Sequence, residues 1–461
     1  MQNLWRFTII LFGAIIAVTL FLSSAAKAQG TIRDAEIESL MRQFSDPLFT
    51  AAGLNAPDVD IYIINDRSMN AFVTRGQKMF LHTGIILQAE TPNELKGVIA
   101  HEAAHISGGH LARSSDAMSK ASRPMILTMG LGILAAVAGE PQAAMALIGS
   151  ANQFGTLTFF THSRIQEASA DQAAANFLET SGQSGKGLIR FYERFRFQEV
   201  MSGARRFPYF RTHPLSSERI DSLAIEVNAA RYVDALDSEQ EIFAFKMIQA
   251  KIIGFLDKPQ RVFQQYPETD QSLPAKYARA IAYYQEASTK LALEKIGELI
   301  EIQPENPYFN ELYGQVLFES GKAEQAVYYH QKSVDLAPNS PLLHLNLAQS
   351  LVVSNKPEDL KLAKKHLDFV IRYEPGNSFA WYQVAVLHEK AGELGLAKLA
   401  TAEQAYAMHD YFRAMSFAGR AKQDLEPNTP QWRRANDILL VIAADPRIRK
   451  YMQSQRKGGG H

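Results

Sequence analysis

A proline-ended repeat constrains the C-terminal half of this chain more tightly than any other feature. Aligned on proline, four successive stretches carry Ala280, Tyr283, Ala292 and Pro304; Gly314, Leu317, Ala326 and Pro338; Ala348, Leu351, Ala363 and Pro375; and Ala385, His388 and Ala397. The step from Pro304 to Pro338 is 34 residues, and that from Pro338 to Pro375 is 37, with the excess expected at Lys356-Pro357-Glu358. Small residues at the first and third places let two helices approach closely, and a proline cannot continue a helix. A 34-residue helix–turn–helix period of this composition is that of the tetratricopeptide repeat, whose units stack into a solenoid. Ile242 to Pro267 reads as a degenerate first unit, the chain after Asp410 as closing helices, and Arg456 to His461 as a disordered tail.

Before the repeats lies the chemistry. His101-Glu102-Ala103-Ala104-His105 puts two imidazoles four residues apart, on one face of a helix, where both can reach one zinc ion. Glu102 sits about 100° round the helix from His101, where its carboxylate can take a proton from an activated water. Thr91-Pro92-Asn93-Glu94 supplies a helix start: Thr91 as N-cap, Pro92 in the first position and Glu94 where a capping box needs it. Leu95, Val98 and Ile99 then give the helix an apolar face.

Catalytic zinc commonly takes three side chains. The chain has no cysteine, so the third ligand is a histidine or a carboxylate. His110, after Gly108, falls one residue short of the extended motif that adds a third histidine. Ser163 to Asp171 opens an alanine-rich helix running to about Leu178, on which Glu167 and Asp171 share a face. One of the two can ligate zinc while the other accepts the free N–H of a ligand histidine.

The motif at His101 to His105, followed by Glu167 and Asp171, resembles the zinc metallopeptidase family that includes the type 1 CAAX prenyl proteases. The match is to its periplasmic branch, in which such a domain is joined to tetratricopeptide repeats. Asn70-Ala71-Phe72 leading into Phe80-Leu81-His82-Thr83-Gly84, and Thr212-His213-Pro214-Leu215-Ser216-Ser217-Glu218-Arg219, match that branch as well. The resemblance implies one zinc held by His101, His105 and Glu167, Glu102 as general base, and Asp171 behind a ligand histidine. It also implies that the loop carrying His213 covers the site, the histidine taking the metal's fourth position or assisting the reaction. An exposed sheet edge at Asn70, Ala71 and Phe72 would hold substrate as an added strand. Clients would be stalled or misfolded outer-membrane β-barrel proteins, and the docking partner the barrel-assembly machinery. A competing class is a chaperone or adaptor with structural zinc, but a structural site needs no base at Glu102.

The expected fold is an α+β zincin-like domain, mostly helical with a small sheet, followed by an all-α solenoid. Expected boundaries are 1–28 for a signal peptide, 29–236 for the peptidase domain and 237–461 for the repeats. Leu4 to Leu22 is apolar apart from Arg6 near its start and is followed by Ala26-Lys27-Ala28, a small-x-small cleavage site; an uncleaved anchor is the alternative. No cysteine follows that could carry a lipid, and the expected location is the periplasm, peripheral to the outer membrane. Forty-eight basic residues balance 48 acidic ones without a block of either sign, which argues against nucleic acid. A helix is expected from Ile32 to Phe44, and strands at Val59 to Ile64 and Lys78 to Leu81 with Ala71-Phe72-Val73 between them. Met125 to Ala138 and Ala143 to Ile148 are apolar but too short to span a bilayer, which takes about 20 residues. They fit a buried hairpin or a flap that touches membrane or client.

Overall fold

The computed structural model describes residues 30–110, 164–202, 209, 213–354 and 356–458. The leader at 1–28 and the apolar stretches at 125–148 lie outside the described residues. No described helix is long and apolar enough to cross a membrane. The chain divides into two compact units, one of Met1–Ile32 with Arg42–Asp237, the other of Arg33–Met41 with Ser238–His461.

The first unit contains a four-stranded sheet in the order β1 (Thr31–Ile32), β2 (Asp60–Ile64), β4 (Lys78–His82), β3 (Ala71–Thr74), with β2 and β4 parallel and both outer pairings antiparallel. Alternation sends Ile63, Ala71, Val73, Met79 and Leu81 into the core. On the other face the register pairs Tyr62 with Phe80 and Phe72 with Phe80, and their rings stack at 5.0 and 4.9 Å. Helix α1 (Ala35–Ala51) starts later and ends later than the sequence pattern suggests. Asp34 Oδ1 accepts from the amides of Glu36 and Ile37 and so fixes the start, while buried Leu48 and Phe49 carry the helix past Pro47.

β4 runs directly into α2 (Thr83–Gln88), and the Phe80-Leu81-His82-Thr83-Gly84 motif serves this junction. A Cβ on Gly84 would sit 2.3 Å from the carbonyl oxygens of Arg67 and Ser68. His82 Nδ1 bonds Ser68 Oγ at 2.9 Å, and Thr83 Oγ1 donates to Asp66 O at 2.9 Å. Here glycine is required by a crossing backbone, and the histidine is structural.

Helix α3 (Pro92–Ser107) starts at Thr91, whose side chain accepts from the Glu94 amide, and is buried from Pro92 through His105. Only one arm of the capping box forms. Glu94 instead accepts from the Glu90 amide at 3.0 Å and pairs at 2.6 Å with Arg194 of α5 (Lys186–Ser202), whose charge-assisted bond turns the carboxylate toward α5. The two helices touch almost backbone to backbone. A Cβ on Gly97 would meet Leu188 Cβ at 2.7 Å, and one on Gly187 would meet Asn93 Oδ1 at 2.3 Å. Asn93 clips the joint, donating to Ser184 O and accepting from the Gly187 amide, both at 2.8 Å. Helix α4 (164–180) and α6 (Ser217–Ala229), capped by Ser216, complete the surroundings of the site.

The second unit is a tetratricopeptide solenoid of antiparallel helix pairs. After α7 (Glu239–Leu256) and α8 (Pro259–Gln265) come α9 (Leu273–Gln285), α10 (Thr289–Ile302), α11 (Pro307–Glu319), α12 (Ala323–Leu336), α13 (Pro341–Ser354) and α14 (Pro357–Tyr373). Then follow α15 (Ser378–Lys390), α16 (Leu394–Ala407), α17 (Tyr411–Asp424), α18 (Pro430–Ala444) and α19 (Pro446–Gly458). The last helix takes in Arg456 and Lys457, so the tail expected to be disordered begins as helix. The long second step has a simple origin: α14 has 17 residues where α10 and α12 have 14, the added turn beginning at Pro357. Ala280, Ala292, Ala326, Ala348 and Ala363 are all fully buried. A Cβ at Gly314 would strike the His330 ring at 2.4 Å. Residues 33–41 count with this unit through charge. Lys251, 1% exposed, lies 2.7 Å from Asp34 and 3.2 Å from Glu36, which also accepts from Tyr277, and Arg33 reaches Glu374 at 2.6 Å.

Gly84→Ala is expected to destabilise the first unit by about 1–3 kcal/mol, the usual cost of forcing a methyl into packed backbone. Gly30→Ala, whose Cβ would meet nothing within 4 Å, serves as the control. Urea midpoints compare the two, and equal midpoints would contradict the close approach.

Candidate metal centre

Helix α3 stacks His101 and His105 one turn apart, their rings edge to face at 4.8 Å and their Nε2 atoms 3.1 Å apart. Glu167 of α4 brings Oε2 to 3.4 Å from His101 Nε2 and Oε1 to 3.5 Å from His105 Nε2. From the segment before α6, His213 brings Nδ1 to 3.3 Å from His101 Nε2 and 3.2 Å from Glu167 Oε2. All four residues are buried, and one ligand atom from each lies within 4.8 Å of the others. A tetrahedral zinc ion with bonds of 2.0–2.1 Å has ligand–ligand edges of about 3.3–3.4 Å. The spacing and the nitrogen–oxygen donor set therefore fit one zinc ion.

Behind these atoms each ligand histidine has its own support. His101 Nδ1 is 3.0 Å from Asp171 Oδ1 and 3.2 Å from the Tyr192 hydroxyl. His105 Nδ1 faces His110 Nδ1 at 3.0 Å. Of the carboxylate pair on α4, Glu167 thus faces the centre, and Asp171 lies behind His101. Arg219 grips Asp171 with two bonds, Nε to Oδ2 at 2.7 Å and Nη2 to Oδ1 at 2.8 Å, and places Nη1 3.2 Å from Glu167. The same Nη1 donates to Pro214 O at 2.6 Å and so holds the His213 segment. His213 does not cap α6; Ser216 does.

The electrostatics divide the groups by role. Burial alone would lower the His101 pKa, but the hydrogen bonds and charges of Asp171 and Glu167 outweigh it and raise it to about 9. Burial and the positive charge of His101 hold His105 well below the usual histidine range. Against the upward pull of burial, His213 and His101 keep Glu167 ionised far below the ordinary carboxylate range, and His101 with Arg219 lowers Asp171. Glu102 goes the other way, raised by burial despite His213 and His101. It is 0% exposed, and neither oxygen has a hydrogen-bond partner among the described residues; His213 Nε2 lies 3.4 Å from Oε1. Such a carboxylate is costly and suits a group that must accept a proton.

Asn70 leads into β3, whose first residues are Ala71 and Phe72 and which stands at one end of the sheet and packs against α3. Tyr209, stacked on His213 at 4.7 Å, donates its amide to Met69 O at 3.2 Å. Sequence reasoning assigned no role to Arg219, Tyr192 or Tyr209, and His110 was set aside once it failed as a ligand. Arg219 had a signal, since it closes the motif that contains His213; Tyr192 had none.

Residues 32–227 match peptidase family M48. They are a metallopeptidase domain of that family. Two relatives are described as beta-barrel assembly-enhancing protease. The one from Yersinia pestis is 24% identical over 333 residues, 69% of this chain and 67% of its own length. The one from Escherichia coli (strain K12) is 25% identical over 308 residues, 65% of this chain and 61% of its own. Among solved structures, the tetratricopeptide-repeat protein YrrB is similar, with a TM-score of 0.32 and 19% identity, covering 39% of this chain and 92% of that one.

A proton and zinc compete for Nε2 of His101 in the M48 domain. Because this imidazole keeps its proton up to about pH 9, zinc uptake at pH 7 should release about one proton. Affinity should then rise about tenfold per pH unit, levelling near pH 9. Calorimetry in two buffers of different ionisation heat measures the release, and uptake without net proton release at pH 7 would contradict it.

Proposed function

We propose that this chain is a zinc-dependent endopeptidase of the periplasm that cleaves unfolded or misassembled outer-membrane β-barrel proteins. We further propose that its repeats dock it on the barrel-assembly machinery. The observation that carries the catalytic part is a buried set of four ligand atoms, all within 4.8 Å of one another, with an unbonded carboxylate, Glu102, beside it. The names of the two relatives support the client class, and the apolar leader with its Ala26-Lys27-Ala28 site supports the compartment.

Held by His101, His105 and Glu167, zinc would supply a Lewis acid that polarises the scissile carbonyl and makes water a better nucleophile. Glu102 then takes the proton of the attacking water and passes it to the leaving amine; its raised pKa suits both transfers. Asp171 keeps the Nδ1 proton on His101, so that Nε2 faces the metal. His213 Nδ1 fits the fourth position, and while there it excludes water. Activity on this reading requires His213 to leave. An extended client segment adds beside β3 at Asn70, Ala71 and Phe72, which the position of β3 at the end of the sheet favours.

Glu102→Gln should keep its zinc and lose at least about 10²-fold in cleavage of an unfolded barrel protein, the lower end for removing a general base. His101→Ala and Glu167→Ala should lose the metal itself. Wild-type cleavage by Glu102→Gln would sink the mechanism. Used as a trap in cells, the same variant should retain outer-membrane barrel proteins, and retention of none would sink the client assignment.

His213→Ala should raise proteolysis, including self-cleavage, with zinc still bound through the other three ligands. Lower activity at full metal content would show instead that His213 assists the reaction.

A further inference from the structure

We infer that Tyr192 is a positioning residue for the metal centre, fixing the tautomer and aim of His101 through a three-way hydrogen-bonded ring with Asp171. The inference rests on the zinc reading of the site. Tyr192 is 1% exposed, and its hydroxyl lies 3.1 Å from Asp171 Oδ1 and 3.2 Å from His101 Nδ1, which are themselves 3.0 Å apart.

Counting protons settles who donates. With Nε2 facing the metal, the single proton of a neutral His101 imidazole sits on Nδ1. An ionised Asp171 can only accept, so the one hydroxyl proton of Tyr192 goes to Asp171 Oδ1. The hydroxyl oxygen is then an acceptor, and the Nδ1–H of His101 is shared between it and the carboxylate. Flipping the imidazole would lose both acceptors together. Asp171 is held from the opposite side by the Arg219 fork, so its carboxylate has no freedom to follow a turning ring.

The backbone explains why a hydroxyl can be trusted to stay at this spot. Tyr192 is five residues after Gly187, on the helix that Gly97, Gly187 and Asn93 fix against α3. Its ring stands edge-on to His101 at 6.3 Å and 85°, with the Arg219 guanidinium 5.6 Å from its centroid. Phenylalanine would fill this place equally well, so packing alone gives no reason for the hydroxyl.

The test measures metal affinity in the full chain by chelator competition, with the visible spectrum of the cobalt(II) form as a second readout. Tyr192→Phe should loosen zinc about tenfold, the lower end for a group supporting a metal ligand, and shift the cobalt bands. Tyr192→Leu, which lacks the hydroxyl in another shape, should loosen it at least as much and stands in if the first variant fails to fold. In an Asp171→Ala background the loss of the hydroxyl should cost a different amount than in the unsubstituted chain, because the hydroxyl and the carboxylate share one Nδ1 proton and their effects are coupled. Zinc affinity and cobalt spectrum unchanged in Tyr192→Phe would overturn the inference, as would an equal loss in both backgrounds, which is the mark of packing. Failure of the unsubstituted chain to bind zinc would instead overturn the reading of the site.

Discussion

Everything at the metal centre depends on the guanidinium of Arg219. Two carboxylates one turn apart on α4 are almost wholly removed from water, and an uncompensated buried charge costs several kcal/mol even after relaxation. Arg219 compensates both, through a two-bond fork to Asp171 and a third nitrogen beside Glu167. The planar fork matters as well as the charge. A lysine would supply a point charge that could neutralise one carboxylate without fixing its plane. The plane of Asp171 sets the direction in which His101 is held, and the aim of His101 Nε2 is set from there. Through Pro214 the same side chain also holds the segment that delivers His213, so neutralisation, aim and cover of the centre share one residue.

With that charge in place, three carboxylates within one buried site can take different roles. Glu167 and Asp171 have cations beside them and are held in the ionised form, as a ligand and a histidine acceptor must be. Glu102 has no hydrogen-bond partner among the described residues, and burial dominates its environment and raises its pKa. The two histidines of the motif divide in the same way. His101, between two carboxylates, binds its proton tightly, while His105, buried beside the positive charge of His101, gives its proton up. Identical residue types at one spacing thus acquire opposite proton affinities from neighbours that lie far away in sequence.

The legible and the hidden parts of this site separate along that line. Features set by local sequence could be read directly: the start of α3 at Thr91-Pro92, the shared face of His101 and His105, the shared face of Glu167 and Asp171, and the 34-residue step of the repeats. Where two sequence-distant elements meet, the sequence was silent. Which of Glu167 and Asp171 faces the centre depends on where α4 lies relative to α3. The reciprocal arm of the capping box failed because Arg194 arrives from α5, and β3 is an end strand because β2 pairs with β4 rather than with its neighbour in sequence. His110 shows the difference most clearly, since its spacing misses the extended ligand motif yet could not show that its ring faces His105 Nδ1 at 3.0 Å.

The glycines of α3 and α5 connect the packing to the chemistry. A glycine inside a helix costs roughly 0.5–1 kcal/mol against alanine, so Gly97 has to be explained by what it permits. It permits Leu188 to lie where a methyl group would be, and Gly187 does the same for Asn93 from the other side. With both in place, the axes of α3 and α5 come close enough for a tyrosine one and a half turns along α5 to reach the back of a histidine on α3. Any side chain at position 97 would push α5 outward and carry the Tyr192 hydroxyl away from Nδ1 of His101. Hydrogen bonds weaken steeply with distance and angle, so a displacement small on the scale of helix packing is large on the scale of this contact. The helical propensity given up at two glycines is therefore what sets the precision of the imidazole.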